Sequence, residues 1–217
     1  MTESSAAPRL RVEVVPVGPL QANSHILWID GAKEGVVVDC GDEAPRLAAV
    51  LAAYGLEPKA LLLTHGHLDH TGGVKAFIER FPVPFYMHAD EVPVFKTIRE
   101  QGAMFGMLVG QPPEAKDFLS EGATFMAAGL NFSVLHTPGH TPGSLCYLTE
   151  GMLFSGDVLF QGAVGRTDLP GGSSQQLKTS LDRLKLLPPE TVVFPGHGPS
   201  TTIGAELARN PYLRGMF

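Results

Sequence analysis

Apolar and polar positions change rhythm along this chain often enough to mark out most of its elements. LRVEVVPVG (10–18) alternates apolar with polar or small residues, the two-residue period of a strand. SHILWID (24–30) and GVVVDCG (35–41) are apolar or β-branched runs, with Gly31 and Lys33 suited to a hairpin turn between them. DEAPRLAAVLAAYG (42–55) reads as a helix with Asp42 at its N-cap and Gly55 past its end. KALLLTH (59–65) is a short buried strand, GGVKAFIERF (72–81) a helix stopped by Pro82, and PFYMH (84–88) another strand. A helical, Met-rich stretch punctuated by Gly and Pro runs to about residue 119. Strands then return at NFSVLHT (131–137), SLCYLTE (144–150) and MLFSGDVLF (152–160). SSQQLKTSLDRLKLL (173–187) places Leu177, Leu181, Leu184 and Leu187 on one helical face. TVVFPGHG (191–198) is a last strand with its loop, and TTIGAELARN (201–210) a closing helix.

Strands alternate with helices, yet hairpin spacing occurs in both halves. The pattern therefore predicts an α/β sandwich, with mixed sheets flanked by helices rather than one parallel sheet. A chain of 217 residues suffices for one such domain, expected over residues 10–217 behind a polar, flexible tail at 1–9.

Composition narrows the partners. The chain is 44% hydrophobic and carries a formal net charge of -6 without any Lys/Arg run, which argues against nucleic acid or an anionic membrane as partner. No apolar run approaches the roughly 20 residues of a membrane helix. MTESSAAPRL lacks the basic and apolar regions of a secretion leader, so a cytoplasmic location is expected. Cys40 and Cys146 read as reduced, partly buried thiols, and no Cys-x-x-Cys spacing exists. What remains is chemistry on a small molecule or peptide, or a protein partner.

THGHLDHTGG (64–73) decides among these. It puts His65, His67, Asp69 and His70 directly after an apolar run. Two histidines one residue apart project to the same side of an extended segment. Once the chain has turned, Asp69 and His70 can address an adjacent centre, and a loop leaving a strand can supply several metal ligands at little backbone cost. Three further candidates repeat the arrangement: His140 in TPGHTPG, Asp157 after MLFSG, and His197 in FPGHGP. Each follows an apolar strand into or beside a glycine-bearing loop. A hydrogen-bonded His-rich loop is the bland alternative, and four repetitions speak against it. Asp39 ends GVVVD at another strand exit and is expected to orient the histidine loop. His25 and His88 are expected to be structural; support of His140 by His136 is the weaker of two readings. Met104, Phe105, Met107 and Leu108 have two readings, an apolar substrate wall or, slightly favoured, ordinary core.

With these residues in hand, the sequence resembles the metallo-β-lactamase-fold hydrolases over nearly its whole length. The resemblance implies a four-layer αββα sandwich with two divalent metal ions at one edge, zinc first and iron or manganese also suited. It assigns His65, His67 and His140 to one ion, Asp69, His70 and His197 to the other, and Asp157 to both, with Asp69 also orienting the attacking water. TPGHTPGS, SGDVLF, GRTDLPGG and GHGPSTTIGAELARNP are similar to the short glyoxalase II-like group. That group implies hydrolysis of S-acylglutathione thioesters of the S-lactoylglutathione type by water activated on the metal. Two departures stand out. Only 20 residues follow His197, so the helical domain with which full-length glyoxalase II grips glutathione is not expected here. Arg166 and Asp168 replace a Lys and a Tyr of the glutathione-holding loop; Arg166 could pair a substrate carboxylate, whereas Asp168 would repel one. The rivals are a mononuclear-iron persulfide dioxygenase and a lactone or β-lactam hydrolase, both of the same superfamily. Further off are a binding or redox-partner protein with a structural metal, and a nuclease, for which no basic groove is present.

Overall fold

The inner strands are apolar on both sides because each side meets a different layer. The computed structural model describes residues 9–216; residues 1–8 of the tail expected at 1–9 and the final Phe217 lie outside the described residues, whereas Arg9 is described and its carbonyl accepts from Asp30 N–H at 2.9 Å. One six-stranded sheet runs in the order β1 (Leu10–Val17), β2 (Ala22–Ile29), β3 (Glu34–Val38), β4 (Glu57–Leu62), β5 (Phe85–Met87) and β6 (Asp117–Phe118). Its first three strands pair antiparallel and the remaining pairings are parallel. The second contains β7 (Thr124–Ala127), β8 (Leu130–His136), β9 (Leu145–Thr149), β10 (Met152–Gly156), β13 (Val192–Pro195) and β14 (Thr201–Thr202). There β10 and β13 pair parallel and the other neighbours antiparallel. The small hairpin of β11 (Leu159–Phe160) and β12 (Ala163–Val164) stands apart.

Side chains on successive strand residues face opposite ways, so one strand feeds two cores. Val36 and Val38 join the core between the sheets, whereas Val37 points out to the helices. Leu62 faces inward between Leu61 and Leu63, which face outward. In the second sheet Leu145 and Tyr147 pack between the sheets, and Cys146 packs against the helices on the far side. The first outer layer is α1 (Ala44–Ala53) and α3 (Val74–Arg80), burying Leu47, Leu51, Val74 and Phe77. The second is α6 (Ser174–Leu184) and α7 (Ile203–Arg209), burying Leu177, Leu181, Leu184 and Ile203. Three cores between four layers make the αββα sandwich. Each such aliphatic or aromatic side chain contributes about 1.5–3 kcal/mol on burial.

Some expectations need correction. Asp42 does not cap α1: Glu43 occupies that position at φ +49°, without a side-chain cap bond. Asp42 Oδ1 instead accepts from Glu43 N–H, and Glu43 Oε2 accepts from Gly18 N–H, so Glu43 ties down the β1–β2 turn. The Met-rich stretch is not helical to 119. Helices α4 (Val92–Lys96) and α5 (Ile98–Met104) end before Gly106, and an irregular segment carrying Pro112 and Pro113 leads to β6. Strand β7 was not expected. It pairs with β8 through a two-residue turn at Ala128 and Gly129, both at positive φ. Among the described residues, no helix is long and apolar enough to cross a membrane.

His25 is structural, as expected, and costly. Both its ring nitrogens are buried without a hydrogen-bond partner, and the ring sits edge-on to Phe154 and Phe194. Burial pushes its pKa down to about 3, with the nearby His70 adding to the effect. Unfolding then lets it take up a proton that the native state refuses. Its contribution to stability is undiminished above the ordinary imidazole pKa and is lost as pH falls from there toward 3. We expect His25→Leu to remove about 2 kcal/mol of the difference in stability between pH 7 and pH 5. Urea unfolding of the metal-free protein at both pH values checks this; an unchanged difference would mean that the ring protonates in the fold.

Candidate metal centre

Five strand ends converge on one point between the sheets. Asp39 follows β3, and His65 lies three residues beyond β4. His140 lies in the β8–β9 loop, Asp157 follows β10 directly, and His197 lies two residues past β13. The sheets are stitched together here: Leu145 N–H donates to Thr64 O at 2.8 Å, and Tyr147 Oη–H to Leu63 O at 2.7 Å. A four-residue helix, α2 (Leu68–Thr71), starts after His67 and turns Asp69 and His70 onto the second half of the site.

All seven residues singled out in the sequence come together. His65, His67 and His140 form one cluster of converging donor atoms, Asp69, His70 and His197 another, and His65 with His70 and Asp157 a third. His67 Nδ1 faces His140 Nε2 at 2.9 Å, and His197 Nε2 lies 3.1 Å from Asp69 Oδ2. Asp157 stands between the clusters. Its Oδ2 is 3.7 Å from both His140 Nε2 and His197 Nε2, and its Oδ1 is 3.2 Å from His70 Nε2.

Three of the remaining ring nitrogens are held from behind. His70 Nδ1 lies 2.8 Å from Asp39 Oδ2, and His140 Nδ1 donates to Arg166 O at 2.8 Å. His65 Nδ1 contacts Thr64 Oγ1 at 3.1 Å. In each case Nε2 is left for the centre, the ring orientation metal-binding histidines need. Asp39 does what its position suggested, and more: it also accepts from Thr64 N–H and Oγ1–H, both at 2.7 Å. It sits at φ +60°, a strained conformation for a non-glycine residue.

Do these residues fit a metal? His65 Nε2, His70 Nε2 and Asp157 Oδ1 are buried and make no aligned hydrogen bond, although buried polar atoms nearly always find one. They lie within 4.8 Å of one another and converge on shared space. Gly196 keeps that space open, since a Cβ there would lie 2.2 Å from Asp157 Oδ1 and 2.6 Å from His70 Cε1. Electrostatics agree. Burial drives His65 well below the usual imidazole pKa and His67 down to about 4, so both keep free lone pairs at neutral pH. Burial opposes ionisation of Asp69 and Asp157, but His70 and the neighbouring histidines outweigh it and hold both below the ordinary carboxylate range. Burial likewise opposes a charge on His70, and Asp157, Asp69 and Asp39 reverse the balance, raising its pKa well above normal. Neutral His65 and His67 and the ionised carboxylates suit a divalent transition metal directly, and His70 would give up its proton on binding one.

Other candidates are placed differently. His136 does not support the His140 ring. Its Nε2–H donates to Pro142 O at 2.9 Å, and its ring stacks on His88, 4.2 Å between centroids and 7° from parallel. His88, Asp90 and His136 lie close together, but lone pairs in parallel ring planes do not converge on one ion. The Arg166 guanidinium is engaged: Nε and Nη2 donate to Asp168 Oδ1 and Oδ2 at 2.7 and 2.8 Å. Met104, Phe105 and Leu108 are exposed rather than core, and only Met107 packs against the first core. Sequence reasoning missed Glu91, Asn23 and the carbonyl of Arg166, none of which belongs to a recognisable local pattern.

Known proteins resemble this chain along most of its length. This chain is 38% identical to the hydroxyacylglutathione hydrolase GloC of Haemophilus influenzae over 215 residues, covering 94% of this chain and 98% of that one. Its fold superposes on the crystal structure of the BLEG-1 B3 metallo-beta-lactamase with a TM-score of 0.89 at 40% identity, covering 94% of this chain and all of the other. The di-iron-bound form of TTHA1623 matches with a TM-score of 0.85 at 41% identity, covering 93% of this chain and all of that one. The family model for the metallo-beta-lactamase superfamily spans residues 17–197, from the end of β1 to the last histidine of the cluster, and this chain belongs to that superfamily.

Proposed function

We propose that this superfamily member is a binuclear, glyoxalase II-like thioesterase that hydrolyses S-acylglutathione thioesters of the S-lactoylglutathione type. Asp157 carries the two-ion reading: one carboxylate oxygen is equidistant from a histidine of each cluster. His65, His67 and His140 would hold one ion, Asp69, His70 and His197 the other, and Asp157 both. A bound metal pair supplies a water acidic enough to ionise near neutral pH and a Lewis acid for the carbonyl. The side chains do the rest. Asp69, ionised and partly exposed, accepts a hydrogen bond from the attacking water and sets its approach. Water oxygen bonds to the acyl carbon, the C–S bond breaks, and the thiolate leaves with its electron pair without needing a strong acid. The products are a carboxylate, a thiol and a proton. No cysteine competes as nucleophile: burial raises both thiols, Cys146 to about 12.

The match to GloC along almost its whole length supports the thioester reading, and the iron in TTHA1623 keeps iron beside zinc as the metal. The BLEG-1 match favours β-lactam hydrolysis as the second reading. A panel of S-lactoylglutathione, a lactone and a chromogenic cephalosporin decides between them. Thioester turnover at least about 10²-fold above the others supports the first reading, and cephalosporin turnover above thioester overturns it.

The Arg166–Asp168 pair is expected to set how well glutathione binds. Asp168 fills the arginine fork that a substrate carboxylate would use. Asp168→Asn should lower KM for S-lactoylglutathione about threefold with kcat unchanged, and leave an uncharged thioester unaffected. An equal effect on both substrates would show that Arg166 does not meet the carboxylate.

A further inference from the structure

We propose that Glu91 is the positioning residue of the His65–His67–His140 cluster, fixing the separation of the two loops that carry it. Glu91 belongs to neither loop. It ends a short 3₁₀ turn at Ala89–Glu91, just before α4, and is fully buried. Its Oε2 accepts from Gly66 N–H at 2.6 Å, between His65 and His67; its Oε1 accepts from Gly143 N–H at 2.6 Å, three residues beyond His140. One carboxylate therefore joins segments 77 positions apart, through charge-assisted bonds at the short end of their range.

Both partner positions are built for this carboxylate. A Cβ on Gly66 would lie 2.9 Å from Phe95 N and 3.0 Å from Glu91 Oε2. One on Gly143 would lie 2.9 Å from Glu91 Cγ and from Glu91 N. Neither glycine has a positive φ, so close approach rather than backbone conformation requires them. His136 extends the support by donating to Pro142 O while stacking on His88 at the start of the same 3₁₀ turn.

The other cluster has a separate anchor. Asn23 Nδ2 donates to Pro195 O at 3.0 Å and Gly198 O at 2.9 Å, and its backbone N–H donates to Gly196 O at 2.7 Å. These bonds hold the loop of His197 and do not touch the loop of His140. Perturbing Glu91 and perturbing Asn23 should thus weaken different ions. This rests on the metal-centre reading above.

The test is Zn(II) affinity of the full chain, measured by competition with a chelator as two dissociation constants. His67→Ala identifies which constant belongs to the first cluster. Glu91→Gln keeps the volume but turns an amide N–H₂ toward one of the two loop donors. It should weaken that same constant by about tenfold or more and leave the other within about twofold, whereas Asn23→Ala should do the reverse. Glu91→Asp, which keeps the charge and shortens the reach, gives the same comparison if the glutamine variant does not fold. Both constants unchanged beside a lowered Tm, or both weakened equally, would overturn the proposal. A wild-type chain that holds no Zn(II) would overturn the metal-centre reading itself.

Discussion

Replacing Asp157 with alanine should cost roughly 10³-fold in kcat/KM for S-lactoylglutathione, about 4 kcal/mol of transition-state stabilisation. The size follows from the position of the residue. Its carboxylate is buried among His70, His140 and His197, and it is the group that reaches both clusters. Removing it leaves neighbouring imidazoles facing one another without the negative charge that offsets two cations. Elemental analysis should then show fewer than two ions per chain. Asp157→Asn, which keeps the shape and loses the charge, should fall between the two. An alanine variant with full metal content and full activity would remove the basis for a shared carboxylate.

The second large effect comes from adding one carbon. Gly196→Ala should lower activity by about 10²-fold, because the new Cβ would lie 2.2 Å from Asp157 Oδ1 and force it back by about 1 Å. The backbone gives little room to adjust: Gly196 N–H donates to Gly156 O at 2.8 Å, and Gly196 O accepts from Asn23 N–H at 2.7 Å. Metal content and kcat/KM should fall together while the circular dichroism spectrum stays that of the native fold. Loss of fold instead would make Gly196 a packing residue, and unchanged activity would mean that the cradle is wider than the geometry shows.

Much of this site was legible in the sequence because its chemistry is local. His65 to His70 form one contiguous motif, and His140, Asp157 and His197 each follow an apolar run that had to be a strand. Asp39 was legible for the same reason, at the exit of GVVVD. The alternation of strands and amphipathic helices predicted an α/β sandwich, and its four-layer form was implied by the resemblance to the superfamily. The missed features depend on distant partners. Glu91 looks like any surface acid in ADEVP, and only the folded chain brings it between Gly66 and Gly143. Asn23 gives no sign that it will reach residues 195–198. Strand β7 escaped because its turn uses Ala128 at positive φ where Asn or Asp would have announced a hairpin. Asp42 looks like a cap, but its carboxylate accepts from Glu43 N–H, Glu43 is spent on the β1–β2 turn, and Pro45 stands at the start of α1. The apolar residues at 104–108 were assigned to core or wall by composition, yet α5 ends at Met104 and leaves three of them exposed.

The most direct test is the metal content of the purified chain, determined by elemental analysis beside hydrolysis of S-lactoylglutathione by the same preparation. About two divalent ions per chain with thioester turnover is the predicted result. A single iron per chain, with no thioester turnover and with oxygen uptake on glutathione persulfide, would contradict it.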